Sequence, residues 1–115
     1  LKEEDERHIK EGLTEEELEI YDLLKKDNLN EKEEQQVKLS AKRLLEALRR
    51  EDSETNIIDW YKDVQPRQKV RKRVEKILDH YLPKSYSKDV FNLKTDVIFT
   101  HILEEYMMGN HHYAS

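Results

Sequence analysis

The chain has 115 residues, 41% of them charged and 36% hydrophobic, with a formal net charge of −5 and no cysteine. That length suits one domain around a single core, and the missing cysteines exclude a disulfide framework and a thiolate metal site, which makes the cytoplasm the expected compartment. Two glycines and two prolines are few for a β-rich fold, no apolar run reaches the roughly 20 residues of a bilayer span, and nothing reads as a signal peptide.

An all-α fold is therefore expected, a compact bundle of about four helices behind an N-terminal charged lead-in. The chain opens on Leu1 rather than Met and reads as a piece of something longer. Its charge is uneven. Residues 1–34 hold 14 acidic and 6 basic side chains, a balance of −8, and the remainder carries +3. Opposite-signed ends permit binding to charged partners without demonstrating it.

Residues 1–12 are nearly all charged and are expected to be a linker or the end of a preceding helix, broken at Gly12. Leu13-Thr14-Glu15-Glu16-Glu17-Leu18 is a helix start. Thr14 can cap, Glu17 can reach back, and Leu13 can staple onto Leu18. Three glutamates in the first turn suit the positive end of the helix dipole. Leu18, Ile20, Tyr21, Leu23 and Leu24 cover a wide arc, and the helix should end near Asp27-Asn28. A second helix from about Glu31 to Arg50 has a buried stripe of Val37, Ala41, Leu44, Leu45 and Leu48. Leu39 falls off that stripe. A polar turn from Glu51 to Asn56 leads to an apolar knot, Ile57-Ile58-Asp59-Trp60-Tyr61, in which Trp60 reads as a core plug.

Pro66 sits where a third helix can begin, because its missing N–H costs nothing in the first turn. Val70, Val74, Ile77, Leu78, Tyr81 and Leu82 then fall on one arc, and Pro83 stops the helix. Lys69, Lys72, Arg73 and Lys76 recur at i, i+3, i+4 and i+7 and line the opposite side. This stripe has two readings: a solvated face that keeps the domain in solution, or a docking surface for phosphates or an acidic protein patch.

After Pro83, Ser87 can cap a last helix running to about Met108, with Gly109 as its stop and a frayed tail at 109–115. Its apolar residues (Val90, Phe91, Leu93, Val97, Ile98, Phe99, Ile102, Leu103 and Tyr106) point almost all the way round. Such a helix is either central to a bundle or covered on one face by a partner. Leu93, Phe99 and Leu103 are the candidates for exposed partner-binding positions.

Catalytic and cofactor signatures are absent. No Gly-rich phosphate loop, Walker lysine or metal-spaced His pair occurs. His80 and His101 stand alone on their helices, and His111 and His112 fall in the tail. The acidic clusters at 3–6 and 15–17 read as solvated faces. No catalytic, cofactor or metal residue is assigned, and this piece is not expected to be catalytic by itself.

The order of three segments resembles one family. Leu13-Thr14 with Glu16 or Glu17 and Tyr21-Asp22-Leu23-Leu24 resembles an L-T-x-x-E-x-x-x-Y-D-x-L opening. Leu44-Leu45 with Leu48 and Arg49 resembles the second helix that follows it. Asp59-Trp60, then Arg67, Val70-Arg71, Val74, Ile77-Leu78, Tyr81 and Pro83, is the most specific match. Together they span about residues 13–108 and resemble the C-terminal helical domain of the R (HsdR) subunit of type I restriction enzymes, departing at Glu75-Lys76, where a second basic pair is expected.

The resemblance implies a parent subunit that translocates DNA with ATP and magnesium before cutting it. The domain would dock that subunit on a methyltransferase core of M and S subunits. DNA would be met through the parent complex, and no membrane is implied. Lys69, Lys72, Arg73 and Lys76, with Arg67 and Arg71, would steer the encounter, and surplus apolar surface on the last helix would supply affinity. Two alternatives stand beside it: nonspecific contact with the DNA backbone through the basic helix 66–82, salt-dependent and indifferent to sequence, and a spacer with no partner of its own.

Overall fold

The computed structural model describes residues 11–50, residue 55 and residues 59–108. The lead-in up to residue 10, most of the polar turn 51–56, Ile57 and Ile58 of the apolar knot, and the tail from Gly109 with His111 and His112 lie outside the described residues.

Among the described residues four helices and one 3-10 turn of three residues make the fold, and no strand occurs. The helices are α1 (Glu15–Leu24), α2 (Glu31–Arg49), α3 (Val64–Tyr81) and α4 (Lys88–Met107), with the 3-10 turn at Trp60–Lys62. They pack as a closed ring: α1 on α2, α2 on α3, α3 on α4 and α4 back on α1, and the two diagonal pairs do not approach. The 3-10 turn lies against both α3 and α4.

Capping chemistry sets the helix starts. Glu17 N–H donates to the Thr14 hydroxyl at 3.1 Å, and Thr14 N–H donates to the Glu17 carboxylate at 2.9 Å, the reciprocal box expected of that spacing. Leu13 is buried and Leu18 packs against the same core. Asn30 and Glu33 repeat the device at the head of α2, at 2.7 and 3.1 Å. Ser87 accepts from Val90 N–H at the head of α4.

Two boundaries differ from the expected ones. α1 closes at Leu24 rather than near Asp27-Asn28, because tertiary donors take its terminal carbonyls. The Tyr86 hydroxyl donates to Leu24 at 2.8 Å and the Lys94 ammonium to Lys25 at 2.8 Å, while Asn28 turns the chain at φ +66°, a conformation its short polar side chain tolerates. α3 begins at Val64, two residues before Pro66. Proline at the third helical position still falls among the residues whose N–H has no intrahelical acceptor, so the helix need not start on it. At the other end Leu82 is extended ahead of Pro83 and ends the helix.

The core fills the ring. Val37, Ala41, Leu44 and Leu48 of α2 and Leu24 of α1 are fully buried, Leu45 is 1% exposed, and Leu39 sits off the stripe at the surface. Val70, Val74 and Leu78 bring in α3, and Ile98, Ile102 and Tyr106 bring in α4. Trp60 is 1% exposed and meets Tyr61 and Tyr106 edge to face, with ring centroids 5.9 and 5.3 Å apart. Such pairs contribute about 0.5–1.5 kcal/mol each beyond burial. Trp60 is a core plug that ties the 3-10 turn to α4.

α4 explains its own all-round apolar pattern. Its buried Thr95, Ile98, Phe99, Ile102 and Tyr106 meet α1, α3 and the 3-10 turn, and Leu93 and Met107 remain at the surface. Among the described residues no helix is long and apolar enough to cross a membrane.

Candidate functional site

The cationic stripe of α3 forms one side of a groove. Its inner side is anchored by Val70, Val74 and Leu78, so Lys69, Lys72 and Lys76 are turned away from the core, while Arg73 lies nearer to it with its Nε buried. They line an open groove of about 700 Å³ with Glu75, Asp79 and Phe91. Phe91, in the first turns of α4, is half-buried and supplies the aromatic wall. Lys69, Lys72 and Lys76 are exposed, and among the described residues none of the three makes an ion pair. Arg73 lines the groove from a partly buried position.

A second cleft of about 580 Å³ adjoins the first, sharing Asp79 and Phe91 as common walls. Leu78, Leu82, Pro83 and Tyr86 make its apolar lining, with Lys84, Lys88 and Asn92 beside them. Its position is fixed by the turn between α3 and α4. Tyr86 hydrogen-bonds to Leu24, and burial pushes its phenol up to about 12. Lys26 sits over the Tyr86 ring at 5.2 Å. The Ser85 hydroxyl and the Asn30 N–H both donate to Glu33, holding that carboxyl below its ordinary value.

Two of the six cations singled out from sequence brace the fold instead. The Arg67 guanidinium donates to the Tyr61 carbonyl at 3.4 Å, tying the start of α3 to the 3-10 turn. Arg71 pairs with Asp96 of α4 and with Glu75 at 3.7 Å, and lies over the Phe99 ring at 5.6 Å. Neither lines the groove. Of the three apolar candidates, Leu93 is open to solvent, 59% exposed. Phe99 is not: it is 9% exposed, because Arg71 covers its ring as α3 packs there. Leu103 is half-buried against the core. The expected exposure of Phe99 is corrected, and that of Leu103 is only partial.

Periodicity alone did not single out Glu75 and Asp79, the carboxylates set among the cations, or the apolar cleft at the α3–α4 turn. The signal for the carboxylates was present. Glu75 stands where the resemblance expects a basic residue. The cleft had no linear signal, since its walls come from two helices and a turn.

His101 reaches Glu19 at 3.9 Å, and the His80 ring meets Tyr81 edge-on at 4.6 Å. Among the described residues no group of three or more acids and histidines could hold a metal ion.

Ring and groove define an all-helical domain with an open, charged groove along α3. Residues 1–106 match the family described as type I restriction enzyme HindI endonuclease subunit-like, C-terminal, and the chain belongs to that family. It is the C-terminal domain of a type I restriction enzyme subunit, as the three matched segments imply. No curated protein and no solved structure matches the chain.

Proposed function

We propose that this domain docks the R subunit of a type I restriction enzyme on the methyltransferase core of M and S subunits, through the α3 groove. The observation that carries the reading is the make-up of that groove: four cations, two carboxylates and an aromatic wall on one face. Mixed charge beside apolar surface suits a protein partner, with the cations steering the encounter and the apolar wall adding contact once water is excluded. ATP and magnesium would serve the motor and nuclease parts of the parent subunit, and no residue of this chain is assigned to either. Such an enzyme would act on DNA in the cytoplasm.

A phosphate track along 66–82 fits less well. Glu75 and Asp79 project into the same groove and would repel a nucleic-acid backbone, and Arg67 and Arg71 are engaged within the fold.

A titration of the chain against the purified methyltransferase core and against a nonspecific duplex, each at two salt concentrations, tests the reading. Saturable binding to the core with modest salt loss is expected. Binding to duplex alone, weakening by about one logarithmic slope unit per phosphate contacted, would make α3 a phosphate track. Binding to neither would leave a spacer.

A further inference from the structure

The two adjoining clefts differ in kind, and their order along α3 specifies an occupant. The first is a cationic rail in which Lys69, Lys72 and Lys76 recur every three or four residues. The second is an apolar socket walled by Leu78, Leu82, Pro83, Tyr86 and Phe91, with Lys84 and Lys88 beside it. From Lys69 to Lys76 the rail runs about 10 Å at the helical rise, and the socket continues it in the same direction.

Resting on the docking reading above, we propose that the partner element seated here is a single acidic amphipathic helix. Its carboxylates lie over Lys69, Lys72 and Lys76, and one large apolar side chain enters the socket against Phe91. Charge complementarity sets the sign of the partner. The secondary structure follows from the backbone. An extended segment needs partners for its own N–H and C=O groups, and the described residues offer no strand edge to pair with it. A helix satisfies those groups internally and presents side chains at a three- and four-residue spacing that matches the rail. Glu75 and Asp79 add selectivity by penalising a helix with acids all round.

The test uses the whole 115-residue chain carrying Asn92→p-benzoylphenylalanine, an exposed position beside the socket, with the purified methyltransferase core as probe. Irradiation is expected to capture one helical segment whose acids recur at three- and four-residue spacing. Lys72→Glu with Lys76→Glu should lower both capture and affinity at least tenfold, with an unchanged circular dichroism spectrum. Capture of a basic or extended segment overturns the proposal, as does no capture while the unlabelled chain still binds the core. In those cases docking on the core stands and only the helix is wrong. Loss of core binding by the unmodified chain removes both. Loss of capture when nonspecific duplex is present at equal concentration during irradiation also counts against the proposal.

Discussion

α3 and α4 are nearly equal in length, 18 and 20 residues, and lie against each other, yet they meet solvent in opposite ways. α3 has one apolar side and turns exposed lysines outward. α4 is apolar almost all round, and its surface is what three neighbouring elements leave uncovered: Leu93, Met107 and Met108 among its large hydrophobics and the adjoining C-cap. Both helices meet three neighbouring elements, so the number of neighbours does not separate them. What differs is how the apolar residues fall around each axis, gathered on one side of α3 and spread around α4.

The largest expected effect tests the packing half of that contrast. Phe99→Ala should cost about 3–5 kcal/mol in urea unfolding, because it empties a covered ring site and removes the ring that Arg71 lies over. Leu93→Ala, six residues earlier on the same helix, should stay within about 0.5 kcal/mol. Similar costs would erase the distinction.

The junction of the two helices comes next. Tyr86 titrates near 10 when unfolded and is pushed up to about 12 by burial, where its hydroxyl donates to Leu24. The folded state holds the proton more tightly, so this contribution is complete below pH 10 and disappears as pH rises through about 12. Unfolding free energy should fall by about 2–3 kcal/mol across that window. Tyr86→Phe should lower stability at neutral pH by about 1–2 kcal/mol and make the alkaline fall shallower. An unchanged alkaline profile would detach Tyr86 from the turn.

Smaller still is the stability cost of the exposed face. Lys72→Glu with Lys76→Glu should leave unfolding within about 0.5 kcal/mol of the parent chain. A much larger loss would mean that these lysines hold the fold, as Arg67 and Arg71 do. Away from both helices, Thr14→Ala should cost about 1 kcal/mol through the lost cap on α1, with the other three helices still formed in amide exchange.

How much was legible follows the same contrast. The Thr14–Glu17 box, the α2 stripe and the two-sided pattern of α3 are local, and the sequence states them directly. The box at Asn30–Glu33 is equally local, but Asn heads such a box less often than Ser or Thr, so its pattern is the weaker signal. The end of α1 was set by Tyr86 and Lys94, more than sixty residues away, and no periodicity reports that. Charge spacing grouped Lys69, Lys72, Arg73 and Lys76 correctly on one face. It could not separate them from Arg67 and Arg71, whose partners lie on the 3-10 turn and on α4. Phe99 looked like surplus apolar surface until the packing of α3 covered it.

The most direct test of the central claim compares two faces of the one domain. Affinity for the methyltransferase core would be measured for the parent chain, for Lys72→Glu with Lys76→Glu, and for Leu93→Glu. Docking through the α3 groove predicts at least a tenfold loss for the lysine pair and an unchanged affinity for Leu93→Glu. A loss confined to Leu93→Glu would contradict the account and move the partner to the outer face of α4.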